Sequence, residues 1–223
     1  MTDTHPRWPV ALFDLDGTLI DSIQLIVDSY QHAFTTVLGH TGDEAEIRSW
    51  IGQPLIRAFR HIDEAHADEL FAEYTAYNEA NTPRMLKAFD GIGTVFDALD
   101  DAGVRYGIVT SKRTGPAHWG LELTGLTRVP VIIAQEDSSE HKPSPQPLLS
   151  ACAKLGVEAS TIVYIGDATV DIEAAHNAGA AGIAVTWGAG TREALAGVNP
   201  EVICDTVDEL RAALTGATRE GQA

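Results

Sequence analysis

Cysteine is scarce in this chain: Cys152 and Cys204 are the only two in 223 residues, and they lie far apart in apolar surroundings. That excludes a disulfide-stapled secreted scaffold, and the pair reads as reduced core residues of a cytoplasmic protein. Long apolar runs are lacking too. No uncharged stretch reaches the roughly twenty residues that a membrane-spanning helix needs. The polar first nine residues have no apolar run of the kind a secretory signal carries. The eight histidines are scattered without ligand spacing, which argues against a histidine metal cluster. Positive charge is the third shortage: 15 Lys and Arg face 32 Asp and Glu, a formal net charge of −17. A field of that sign repels phosphates, so neither nucleic acid nor an anionic membrane is an expected partner. It also sets a condition. Any phosphate-handling site here needs local positive charge from a metal, a lysine or backbone amides.

What is present is a repeating pattern of short apolar runs: Val10–Phe13, then 106–109, 131–134, 162–165 and 183–185. Each is followed by polar or glycine-containing sequence, and helical stretches at 92–102, 147–155 and 172–178 lie between most of them. Strands alternating with helices indicate a parallel sheet covered on both faces, with ligands bound beyond the carboxyl ends of the strands. Residues 22–88 break the alternation. Ile23, Ile26, Tyr30, Phe34 and Val37 follow a helical period that Gly39 ends. Asp43 and Glu46 resemble a capping box ahead of Ile47, Trp50 and Ile51, and Leu70, Phe71, Tyr74 and Tyr77 mark a further amphipathic stretch. Pro83 and the segment to Asp90 then return the chain to the sheet. The expected fold class is therefore α/β: a Rossmann-like parallel-sheet core from residues 1–21 and 89–223. A small all-helical unit, residues 22–88, is inserted after the first strand. A short polar tail follows Thr215.

Candidate chemistry sits where the strands end. The first run delivers Asp14-Leu15-Asp16-Gly17-Thr18, whose alternate residues point the same way, so both carboxylates can face one site. Carboxylates this close repel unless a cation lies between them or one is protonated. The ionised one can attack phosphorus while the other donates and recovers a proton. The same pentapeptide also fits a plain turn in which Asp16 and Thr18 bond the backbone. Thr110 and Ser111 follow the second run with a hydroxyl and an amide for a phosphoryl oxygen. Lys142 follows the third, in His141-Lys142-Pro143-Ser144-Pro145, and Gly166-Asp167-Ala168-Thr169-Val170-Asp171 follows the fourth. Asp167 and Asp171, four apart, share a face if Asp167 opens a helix. Singly, each of these residues has an ordinary structural reading as a cap or surface charge. Four successive strand ends carrying carboxylate, hydroxyl, ammonium and carboxylate form a set that chance decoration does not account for.

With these signatures in order (Phe13-Asp14-Leu15-Asp16-Gly17-Thr18-Leu19, Val109-Thr110-Ser111-Lys112, Lys142-Pro143, and Gly166-Asp167 through Asp171), the chain resembles a haloacid-dehalogenase-superfamily phosphatase with a helical cap. The resemblance implies an aspartyl-phosphate mechanism in which Asp14 is the nucleophile and Asp16 the general acid and base. It further implies that Thr110, Ser111 and Lys142 bind phosphate and that Asp14, Asp167 and the backbone carbonyl of Asp16 hold Mg²⁺. Asp171 would act through water or by orienting Asp167. The cap would exclude water, hinged near residues 20–22 and 89–91. Within the superfamily, Ile51-Gly52-Gln53-Pro54-Leu55 and Gly120-Leu121-Glu122-Leu123-Thr124-Gly125 are similar to phosphoglycolate phosphatases and bacterial pyrophosphatases. The latter segment, with Tyr77-Asn78 and Trp187-Gly188, leans towards the pyrophosphatases. Gln53 is a departure, because many capped relatives carry an arginine there to hold a second anion. Arg48, Arg57 and Lys87 are candidate replacements, although each also reads as an exposed helix charge.

The resemblance implies a small-molecule phosphomonoesterase of the phosphoglycolate phosphatase type, with inorganic pyrophosphatase as the alternative; the substrate is a small phosphorylated metabolite or pyrophosphate, handled by a monomer or homodimer. A dehalogenase of the same fold needs neither a metal nor Asp16. A phosphosugar mutase keeps both aspartates and stays open, whereas a phospho-receiver module lacks an inserted cap and carries its phosphorylated aspartate on a middle strand.

Overall fold

The structure is a computed structural model that describes residues 6–216, so the first five residues and the last seven of the polar tail lie outside the described residues. Strand β1 (Val10–Phe13) forms the centre of a six-stranded sheet. Its four residues are fully buried, as expected of a strand covered on both faces. Ala11 and Phe13 point to one face, packing with Val95, Phe96 and Leu99 of α5 (Ile92–Asp101) and with Leu210 and Leu214 of α10 (Val207–Thr215). Val10 and Leu12 point to the other, against Leu148 and Ala151 of α7 (Gln146–Leu155) and Ala174 and Ala175 of α8 (Thr169–Ala178). The period-two alternation of a strand thus sets the two core layers.

The remaining strands are β4 (Arg105–Val109), β5 (Val131–Ile133), β6 (Ile162–Gly166), β7 (Ala181–Val185) and β8 (Val202–Cys204). They order as β5-β4-β1-β6-β7-β8, all parallel, with β1 hydrogen-bonded to both β4 and β6. The chain builds outward to β5, then recrosses and builds the other way. The carboxyl end of β1 therefore lies at the point where the strand order reverses, which is where open sheets of this type place ligands. The strand β8 was not expected from sequence. It is three residues long at the sheet edge, too short for its alternation to register.

Between β1 and α5 the chain forms helices α1 (Ile23–Ala33), α2 (Glu44–Ser49), α3 (Leu55–Ile62) and α4 (Ala67–Met85). After α1 the helix widens through Phe34–Leu38 and stops at Gly39, whose φ of 76° favours glycine. Asp43 caps α2 by accepting the Glu46 amide at 2.9 Å. Pro83 does not end α4, which runs on to Met85. These helices share their own apolar cluster around Tyr30, whose ring centroid lies 5.1 Å from both Phe59 and Tyr74 and 5.8 Å from Trp50. Two short segments tie the helical unit to the core: β2 (Ile20–Asp21) pairs antiparallel with β3 (Lys87–Ala88). Their pairing brings the entry and exit of the helices side by side.

Phe59 is fully buried in the centre of this aromatic cluster. Phe59→Ala is expected to cost about 3–5 kcal/mol of unfolding free energy, measured by urea denaturation.

Candidate active site

The carboxyl ends of β1, β4 and β6, with the segment after β5, converge on one point. Asp14 follows β1 directly, and its amide donates to the Ile165 carbonyl at 2.8 Å, continuing the ladder to β6. Its side chain is buried, and its Oδ1 accepts no hydrogen bond among the described residues. Lys142 Nζ stands 3.1 Å from that oxygen, close enough for an ion pair though not aligned for a hydrogen bond. Asp16 has partners of its own: Lys112 Nζ reaches its two carboxylate oxygens at 2.9 and 3.0 Å, and the Ser22 hydroxyl donates to it at 2.7 Å. Thr110, buried after β4, donates its amide to the Ile133 carbonyl and accepts the Lys112 amide on its hydroxyl at 3.1 Å.

Lys142 is almost fully buried, an unusual place for an ammonium. Burial alone would lower its pKa, but Asp14 and Asp171 beside it outweigh burial and hold it well above the usual lysine value. The lysine contacts Asp171 Oδ1 and lies 3.1 Å from the Tyr164 hydroxyl, which in turn donates to the Val109 carbonyl at 2.7 Å. Tyr164 was not anticipated. It occupies a strand position that reads simply as apolar core, and only the fold shows its hydroxyl fastening Lys142 to β4.

Asp167 does not open α8. It precedes the helix, and Asp171 lies in the first turn, where its Oδ2 accepts the Ala168 amide at 3.0 Å. Asp167 is held by the Thr18 hydroxyl at 2.8 Å and the Ala189 amide at 2.7 Å. Among the described residues no hydrogen bond joins Asp171 to Asp167, so Asp171 orients Lys142 and the helix start. Gly17 and Gly188 close on Asp167 from two sides, and a Cβ on either would overlap its carboxylate. Gly17 also needs its positive φ of 77°. Sequence placed Thr18 and Gly188 within motifs but gave neither a contact.

Oxygens of Asp14, Asp167 and Asp171 lie within 4.8 Å of one another, all three buried. Burial, opposed by Lys142 and reinforced by Asp171 and Asp16, raises Asp14 to about 6. Burial, with Asp171 and Asp14, raises Asp167 to about 8. Three buried carboxylates with one buried ammonium leave excess negative charge, and among the described residues Asp14 Oδ1 lacks a donor. A hard divalent cation with oxygen ligands fits that donor set. Beyond Asp14 and Asp16 opens a cavity of about 430 Å³ between the helical unit and the sheet, lined from the core by Thr110, Ser111 and Lys112.

Two outcomes test this geometry. A carboxylate whose pKa is raised by folding stabilises fully below its unfolded value of 3.8, and that contribution is lost as pH rises through the folded value. In chelator, the thermal midpoint is expected to fall as pH rises through about 6 and about 8, and a divalent cation to restore it at the upper end. Gly188→Ala, which displaces Asp167, is expected to weaken divalent-cation affinity about 10–100-fold, as titrated by calorimetry.

The match to known proteins covers the same elements. The sequence model of the haloacid dehalogenase-like hydrolases matches residues 11–185. The chain is 30% identical over 208 residues to the pyrophosphatase PpaX of Bacillus velezensis, covering 93% of this chain and 96% of that one. Among solved structures, a predicted phosphatase from Clostridium acetobutylicum superposes with a TM-score of 0.80 at 27% identity, covering 92% and 96% of the two chains. A predicted phosphoglycolate phosphatase from Haemophilus somnus 129pt gives a TM-score of 0.79 over 92% and 96%, and at 24% identity it shows the fold alone. With the strand-end constellation and this match over most of its length, the chain belongs to the haloacid dehalogenase-like hydrolase family.

Proposed function

We propose that this hydrolase cleaves phosphate monoesters through phosphorylation of Asp14. The observation that carries the reading is the Asp14 carboxylate. It lies at the switch point of the sheet, beside the buried cation of Lys142, and its Oδ1 accepts no hydrogen bond among the described residues. A carboxylate oxygen of Asp14 attacks phosphorus, the ester P–O bond breaks, and Asp16, which enters this step as the carboxylic acid, gives its proton to the departing oxygen. Water then attacks the acyl phosphate while Asp16 takes the proton back, and Asp14 is regenerated with release of inorganic phosphate. The Thr110 hydroxyl, the Ser111 amide and Lys142 hold the phosphoryl oxygens. Lys142 meets the requirement set by the global charge of −17: it brings a fixed positive charge to the phosphate in a water-excluded position. The Asp16 carboxylate, steadied by Lys112 and Ser22, faces the cavity in which the leaving group lies.

Mg²⁺ suits the carboxylates of Asp14 and Asp167 with the backbone carbonyl of Asp16, and when bound it supplies charge neutralisation to the phosphoryl oxygens. Residues 22–88 act as the cap, hinged at the β2–β3 ribbon, and keep bulk water from the acyl phosphate. Among the described residues no helix is long and apolar enough to cross a membrane. The two buried, unpaired cysteines support a cytoplasmic setting. A second reading, hydrolysis of pyrophosphate, is favoured by the name of the Bacillus velezensis relative.

Purified protein is expected to release phosphate from phenyl phosphate only with Mg²⁺ present. Asp14→Asn is expected to abolish turnover, and Asp16→Asn to lower it about 10²–10⁴-fold. Mass spectrometry of acid-quenched enzyme should find the phosphoryl group on Asp14. Full activity in folded Asp14→Asn protein, or in excess chelator, would sink the mechanism.

A further inference from the structure

The cavity above Asp16 has a chemistry of its own. Its walls from the helical unit are Tyr30, Trp50, Ile56, Phe71 and Tyr74, joined from the core by Trp119. Tyr30 and Tyr74 are 2% and 9% exposed, yet neither hydroxyl has a hydrogen-bond partner among the described residues. Burial holds both hydroxyls above the usual tyrosine value, so they are protonated donors, and Tyr74 also feels the charge of Asp16. Gln53, Thr75 and Asn78 complete the interior with uncharged polar groups.

Cations are the missing element. The cavity's two basic side chains are both committed: Lys112 is paired with Asp16, and Arg113 is exposed at the rim, 3.4 Å from Glu136. Arg48, Arg57 and Lys87, the replacements considered from sequence, do not line it. Arg48 pairs with Glu44 at 2.9 Å and Lys87 with Asp21 at 3.4 Å. The remaining lining charge, with no ion pair among the described residues, is Glu79, an exposed carboxylate. A second anion brought here would lose its hydration, find both lining cations already paired with carboxylates and face Glu79. A volume of about 430 Å³ lined by rings, with a few neutral donors, matches the general character of pockets for ring-sized organic groups.

We infer that the substrate is a phosphate monoester whose leaving group is uncharged. It has a ring-sized apolar body seated among Tyr30, Trp50, Phe71 and Tyr74, and a neutral polar group that hydrogen-bonds to the tyrosine hydroxyls. This rests on the phosphatase reading and sharpens it: phosphoryl binding belongs to Lys142 and the strand ends, while selection of the leaving group is by neutral packing. Discrimination against a second charge then comes from an unpaired anion in an apolar cavity.

The test compares isosteric leaving groups on one aryl body: 4-carbamoylphenyl phosphate, 4-carboxyphenyl phosphate and 4-(trimethylammonio)phenyl phosphate, beside pyrophosphate and 2-phosphoglycolate. With Mg²⁺, the neutral carbamoyl ester is expected to have the highest kcat/KM, about tenfold or more above the carboxylate. Gln53→Arg, which places a cation in the cavity, is expected to narrow that ratio by raising kcat/KM for the carboxylate. A carboxylate, ammonium, pyrophosphate or phosphoglycolate substrate turned over faster than the carbamoyl ester by wild-type enzyme would overturn the inference and leave the phosphatase reading intact. An unchanged ratio in a Gln53→Arg protein that still hydrolyses phenyl phosphate would place the leaving group outside this cavity, with the same consequence. Hydrolysis of none of these compounds by wild type would overturn both readings together.

Discussion

The burial of Lys142 among carboxylates is the constraint on which the site depends. Asp14, Asp167 and Asp171 are drawn into a water-poor point where the strands end, and like charges at that range repel. The lysine offsets part of that repulsion. Its position is not left to a flexible four-carbon stem, because Asp171 and the Tyr164 hydroxyl fix it, and Tyr164 is anchored to β4. The remaining imbalance is what makes the donor set receptive to a divalent cation. Stability and function are therefore in tension here: the arrangement that suits a phosphoryl group is one the empty protein holds at a cost.

Much of this was legible in the sequence for a definite reason. Buried parallel strands read as short apolar runs, and each functional side chain sits within a few residues of such a run, so Asp14, Thr110 and Asp167 announce themselves by position. Lys142 is harder, since eight residues separate it from the end of β5, and only its proline-flanked setting set it apart. What could not be read were contacts between distant segments: Thr18 with Asp167, Lys112 with Asp16, Tyr164 with Lys142. These depend on strand order, and the order β5-β4-β1-β6 is a property of the fold that no local pattern encodes. The short β8 and the two-residue ribbon escaped for the opposite reason, being too brief to carry a period.

The charge balance of the whole chain and that of the site run in different directions. Thirty-two acidic residues against fifteen basic ones give a field hostile to phosphates, yet the proposed phosphoryl position has the buried cation of Lys142 beside it. Local placement prevails because a charge shielded from water acts far more strongly at short range than screened surface charges act at a distance. The cavity beyond has no such buried cation: its two basic side chains, Lys112 and Arg113, are each paired with a carboxylate, and the rest of its lining is Asp14, Asp16, Glu79 and uncharged groups.

The β2–β3 ribbon has a further consequence. Because Ile20 pairs with Ala88, the helical unit leaves and rejoins the core at a single place, like a loop closed at its base. The sheet keeps its continuity whatever occupies that loop, and the loop's length adds little to the entropy of closing it. A lineage can therefore exchange the helices for others while the reacting groups beneath stay as they are. On the proposed function, substrate preference and reaction chemistry then reside in separable parts of one chain.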